Sequence, residues 1–185
     1  MKIVKNIYQQ LFFLGLLLCS GCASLQGSSA GREDKKLRSV EDRIVSIFEN
    51  STEEIQYCYI KNLNDGRGYT AGRAGFTSGT GDMLALFLAY AKAKPKNNLE
   101  KTIPALILVN GSDDLTGLAD LERDWSKACT DPIFLRTQDQ VNESVYRQPA
   151  RSLAFDLGLV LPLSKLALYE AGIQHGYGEL PDNIN

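Results

Sequence analysis

Histidine is the scarcest chemistry-bearing residue here: His175 is the only one in 185 positions. A lone imidazole cannot build a structural zinc site unless cysteines supply the rest, and Cys58 and Cys129 form no CxxC pair. Motifs for phosphate chemistry are missing too. No GxxxxGK[ST] occurs, so there is no lysine and hydroxyl placed for phosphates. A dinucleotide fingerprint needs a strand before its glycines and a parallel sheet around them, and neither is predicted. No GxSxG elbow exists, because Gly75-Phe76-Thr77-Ser78-Gly79 sets the serine one position late. Positive charge is not in excess: 20 Lys+Arg against 22 Asp+Glu give −2, and residues 1–21 hold two lysines, so 18 − 22 = −4 without them. That balance argues against nucleic acid and for a cationic partner. Internal repeats are absent, and the length suits one domain.

What is present begins with an export signal. Lys2 and Lys5 precede the apolar run Leu11 to Leu18, which small residues follow. The run is too short for a membrane span. Leu18-Cys19-Ser20-Gly21-Cys22 resembles a lipobox in which Cys22 is acylated and becomes the mature N-terminus, anchoring the chain to a membrane. That pattern prefers leucine where Cys19 stands, so ordinary cleavage near Ala23 or Ala30 competes. Residues 22–35, Gly/Ser-rich from Gln26 to Asp34, read as a tether. Residues 36–185 form the domain, with 44% apolar and 23% charged residues overall. For Cys58 and Cys129 the reading favours two buried thiols over a disulfide, which export leaves open.

Apolar spacing predicts a helix from Lys36 to Glu49-Asn50, carried by Leu37, Val40, Ile44, Ile47 and Phe48. Ser51-Thr52-Glu53-Glu54 offers a capping box for a second helix reaching Ile60. Between Leu63 and Asp82 the glycines exclude helix, and Tyr69-Thr70 with Gly75-Phe76-Thr77 predict short strands of a small antiparallel sheet. Helices are predicted again over 83–93, 99–109, 117–128, 131–146, 150–157 and 162–174. The chain therefore reads as mainly helical, α+β, with one β element.

Two carboxylates stand out. Glu49 falls at a helix C-terminus among Ile47 and Phe48, where the dipole and partial burial disfavour the anion. Asp65 falls on a glycine-shaped turn near Arg67, which favours the anion. One acid held protonated and one held ionised is what an inverting glycosidase needs. The bland reading makes Glu49 a solvated helix end and Asp65 a turn residue.

Several motifs tip that balance. Phe48-Glu49-Asn50-Ser51-Thr52, Glu54-Ile55-Gln56-Tyr57-Cys58-Tyr59, the run Asp65 to Thr77, and Thr80-Gly81-Asp82 closely resemble the chitosanases of glycoside hydrolase family 46. The likeness continues through Lys127, Gln138, Tyr146-Gln148-Pro149 and Gln174-His175-Gly176, covering roughly residues 38 to 178. It implies a lysozyme-like fold of two lobes and endo-hydrolysis of β-1,4-linked glucosamine in chitosan or chito-oligosaccharides, with inversion and no cofactor. By the same resemblance Glu49 is the general acid, Asp65 the general base, and Thr70 helps hold the attacking water. Asn50, Tyr59, Arg67 and Asp82 fall in or beside the glucosamine-binding cleft. Each also has a structural alternative: Asp82 as a helix N-terminal residue, Arg67 as an ion-pair partner, Tyr59 as a core aromatic, Thr70 as a strand residue. His175 reads as structural.

Family members continue for a long helical stretch that completes the second lobe, so the resemblance implies an incomplete lobe here. It also places Glu170 in a charged network whose arginines lie beyond this sequence, and leaves apolar faces of residues 150–174 uncovered. Two rival readings remain, an inactive surface lipoprotein that binds cationic glycan and a fragment that does not fold.

Overall fold

The structure is a computed structural model and describes residues 23–176. The expected signal segment 1–21, the expected lipidation site Cys22 and residues 177–185 lie outside the described residues. The described chain falls into two units divided within the first helix, between Ile44 and Val45. The second unit holds the sheet and every later helix.

Helix α1 (Ala23–Asn50) takes in the Gly/Ser-rich residues expected as a tether. Gln26, Ala30 and Arg32 are good helix formers, and an established amphipathic helix downstream supplies the nucleus they extend. At its other end α1 stops abruptly. Ser51 adopts φ 56°, and its N–H donates to the Ile47 carbonyl at 2.9 Å, a left-handed stop.

The helix predicted over residues 51–60 does not form. Thr52 Oγ1 accepts from the Glu54 N–H at 3.2 Å, closing a local turn rather than capping a helix. Side chains from elsewhere then hold the segment extended. Ser46 Oγ donates to the Glu54 carbonyl at 2.7 Å. Trp125 Nε1 and Gln138 Nε2 both donate to the Tyr57 carbonyl at 3.1 Å. Cys58 is joined to Cys129 in a disulfide, with Cα atoms 5.5 Å apart. This corrects the expectation of two free thiols: the bridge spans 71 residues, and only the tertiary fold brings its ends together.

Three short strands come next, β1 (Ile60–Asn62), β2 (Tyr69–Ala71) and β3 (Phe76–Thr77), in an antiparallel sheet of that order. The register pairs Ile60 with Ala71 and Ala71 with Phe76. Strands β2 and β3 were expected; β1 falls where a helix end was predicted. Gly72 turns the chain out of β2 at φ +70°, where a Cβ would strike the Gln138 amide oxygen and sit 2.8 Å from the Trp125 ring. Glycine is required there on both counts.

The remainder is helical: α2 (Asp82–Ala93), a 3-10 turn (Glu100–Thr102), α3 (Ile103–Val109), α4 (Leu121–Ala128), α5 (Pro132–Asn142), α6 (Gln148–Asp156) and α7 (Pro162–His175). Helix α5 ends earlier than predicted because a π-helical turn, Glu143–Arg147, takes over. Proline opens α5 and α7, each after a residue in extended conformation, where its missing N–H has no intrahelical partner to lose.

The core is aromatic. Trp125 packs edge-on against Phe134, with centroids 4.9 Å apart, and Tyr90 lies 4.8 Å from Phe134. Phe76, Phe87, Met83 and Leu86 are almost wholly buried as well. Each such side chain contributes about 1.5–3 kcal/mol by burial. The α6–α7 hairpin is different: Phe155 on α6, Val160 in the connection and Leu163 on α7 are 85%, 79% and 73% exposed. This agrees with the expected uncovered apolar faces. No helix among the described residues is long and apolar enough to cross a membrane.

Candidate active site

An open pocket lies between the end of α1, the small sheet and the end of α7. Glu49, Tyr59, Arg67 and Thr70 line it, together with Arg73, Ile173 and Gln174. Four residues singled out in the sequence are thus brought together.

Glu49 is the penultimate residue of α1, and the stop at Ser51 fixes where the helix presents it. It is exposed, not shielded as expected: Ile47 and Phe48 are themselves 45% and 76% exposed. Gln174 Nε2 donates to Glu49 Oε1 from across the pocket. The Asn50 side chain lies outside the described part of the structure.

Asp65 does not line the pocket itself but is bound to a residue that does. Its Oδ2 accepts from Arg67 Nε at 3.1 Å and from the Arg67 terminal nitrogen at 2.6 Å, and its Oδ1 accepts the Arg67 backbone N–H at 3.1 Å. The guanidinium, with two nitrogens donating to one carboxylate oxygen, holds the Asp65 carboxyl below its ordinary range. Arg67 therefore takes its ion-pair role while also lining the pocket.

Thr70 stands on the central strand with its Oγ1 buried and no hydrogen-bond partner among the described residues. A buried hydroxyl without a protein partner is a ready ligand for water.

Asp82 does not line the pocket. It is 5% exposed, and its Oδ1 accepts from the Thr77 N–H, Thr80 Oγ1 and the Met83 N–H, each at 2.9 Å. Tyr146 Oη donates to its other oxygen at 2.5 Å. Burial pushes this carboxyl up, against four donors that favour the anion. Asp82 ties β3 to α2 and, through Tyr146, to the π-helical turn.

Two pocket residues had no signal in the patterning. Arg73 pairs with Asp139, lies 5.8 Å from the Tyr57 ring centroid, and donates its backbone N–H to Gln138 Oε1 at 3.1 Å. Gln174 meets Glu49 from 125 residues away. Only the Gln174-His175-Gly176 motif pointed to that helix end. Among the described residues no group of three His, Cys, Asp or Glu could hold a metal ion.

The family model of glycosyl hydrolase family 46 matches residues 43–185. The chain belongs to that family. A chitosanase of Bacillus subtilis (strain 168) is 43% identical over 154 residues, which is 82% of this chain and 55% of the relative. A chitosanase of Streptomyces sp. (strain N174) is 41% identical over 172 residues, 89% of this chain and 62% of the relative. Among solved structures, the family 46 chitosanase of Gynuella sunshinyii in complex with chitotetraose superposes with a TM-score of 0.75 at 45% identity, covering 80% of this chain and 62% of that one. Native chitosanase from Bacillus subtilis MY002 gives 0.75 at 42%, with the same coverage. This chain thus spans between half and two thirds of the length of the relatives it matches. The mainly helical fold with a small antiparallel sheet is that of these family 46 structures, the lysozyme-like class.

Proposed function

We propose that this family 46 chain hydrolyses β-1,4-glucosamine linkages inside chitosan, with inversion. Glu49 protonates the departing glycosidic oxygen, Asp65 takes a proton from water, and Thr70 holds that water. The observation that carries the reading is the unpartnered Thr70 hydroxyl in the pocket that Glu49 lines, beside an Asp65 kept anionic by Arg67. A base must be ionised and its water held, and these two features supply both. Tyr59 and Arg67 contact the sugar from the pocket wall, and Asn50 follows Glu49 directly in sequence. For Asp82 the proposed role is indirect, holding the sheet that carries Thr70 against α2.

Export belongs to the same proposal, with Cys22 acylated and the domain held at a membrane surface. The Cys58–Cys129 disulfide supports it, since such bridges persist in oxidising compartments.

Release of reducing ends from chitosan tests the enzyme, assayed in washed membranes and in the medium. Activity is expected in the membranes, with the α-anomer formed first by proton NMR and a roughly 10²–10⁴-fold loss in Glu49→Gln. Unchanged turnover in Glu49→Gln refutes the acid assignment, an initial β-anomer refutes inversion, and activity confined to the medium refutes the anchor.

A further inference from the structure

Guanidinium groups line a pocket that is proposed to receive a polycation. Arg67 and Arg73 both stand in its wall, with Glu49. An arginine does not shed its charge in a protein, so only a neighbouring carboxylate can cancel its field. Asp65 pairs with Arg67, and Asp139 pairs with Arg73. Asp65 is the proposed base, whereas nothing in the proposed reaction uses Asp139.

The second pair is lopsided. The Arg73 side chain is only 7% exposed, while that of Asp139 is 44% exposed on α5, outside the pocket lining. Tyr57 Oη donates at 2.7 Å to Asp139 Oδ1, the same oxygen that accepts from Arg73. The guanidinium lies 5.8 Å from the Tyr57 ring centroid, within reach of a cation–π contact. The backbone is fixed as well. Arg73 N–H donates to Oε1 of Gln138, the neighbour of Asp139, and Gly75 N–H closes the turn onto the Gly72 carbonyl at 3.1 Å. Arg73 is therefore held in the wall when a sugar arrives, and its charge stays with it.

We propose that Asp139 determines the charge specificity of the pocket. By neutralising Arg73 from behind, it lets a protonated amino sugar lie along the wall that Arg73 forms. It touches no sugar and acts through Arg73. This rests on the glycan being the glucosamine polymer proposed above. With Asp139 ionised, the pair presents a dipole to the pocket. Without that charge the wall presents a cation, which repels each ammonium group brought near it.

The test measures binding of a fully deacetylated glucosamine tetramer, its amines protonated, by titration calorimetry. The protein is the full chain carrying Glu49→Gln, so that bound sugar is not cut. Asp139→Asn keeps an acceptor for Tyr57 and removes the charge; its Kd is expected to rise about three- to tenfold at low salt, and the rise to fade in ~0.5 M NaCl. Arg73→Gln leaves the Asp139 anion uncompensated and is expected to lower Kd by about the same factor. Opposite signs separate charge from shape, since a wall that merely loosens weakens both. The double variant is expected to bind like its Glu49→Gln parent. An unchanged Kd in Asp139→Asn overturns the proposal, and so does weaker binding in both single variants. Shifts of the expected signs, in a chain whose unaltered form releases no reducing ends from chitosan, remove the hydrolase reading and leave the charge specificity standing. Absence of binding in the Glu49→Gln chain and all its variants removes both together.

Discussion

Asp131 shows how much one side chain can organise. Its Oδ1 accepts the Ile133 N–H at 2.9 Å and caps α5, while its Oδ2 accepts from Tyr90 Oη and Lys94 Nζ, each at 2.6 Å. Lys94 first, then Tyr90, hold the carboxyl at a pKa of about 2, against 3.8 for an unconstrained aspartate. A carboxylate depressed in the folded state adds stability that is fully present above its unfolded pKa and disappears as pH falls through the folded one. The parent should therefore melt above Asp131→Asn at neutral pH, and thermal unfolding followed by circular dichroism should show the two converge between about pH 4 and pH 2. A gap that stays constant down to pH 2 would count against this account. At this scale the sequence was legible only locally. The helix predicted over 131–146 began at Asp131, and Asp65 beside Gly66 and Arg67 announced an ionised turn carboxylate. Partners 37 and 41 residues distant in the chain left no trace in the pattern. For the same reason the contact between Asp82 and Tyr146, 64 residues on, had no signal in the pattern.

Elements obeyed the pattern where they were long and failed it where they were short. The helices after Asp82 were placed within a few residues by prolines, glycines and apolar spacing. Residues 51–59 misled because Ser51-Thr52-Glu53-Glu54 carries the letters of a capping box, while Ser46, Trp125, Gln138 and the disulfide pull the segment straight. Strands of two or three residues are too brief to show alternation, so β1 went unseen. The disulfide gives this segment its strongest prediction. Closing a 71-residue span limits the unfolded chain, which by the loop-entropy relation is worth about 4 kcal/mol. Urea unfolding of the Cys58→Ser, Cys129→Ser double variant should show a loss of that order. A loss below about 1 kcal/mol would mean that the hydrogen bonds to Tyr57 hold the segment unaided.

For the molecule as a whole, the class was legible before any coordinate. A glycine-dense stretch between helices, flanked by two acids, carried the resemblance to family 46, and the fold and family agreed with it. The pocket's far wall was not legible, because Ile173 and Gln174 reach Glu49 through tertiary packing. The Cys58–Cys129 bridge has one more consequence at this scale. It encloses the whole sheet, α2, α3 and α4. The connection after α2 is exposed at Lys96, and the stretch from Asn110 to Asp114 is exposed as well. A protease that cuts there opens the backbone without parting the halves, since a second covalent path still joins them. Trypsin cleavage at Lys96 should leave one band on a non-reducing gel and two after reduction. Should such a nicked chain keep its pocket intact, the bridge would act as insurance against digestion, holding a cut molecule to its shape.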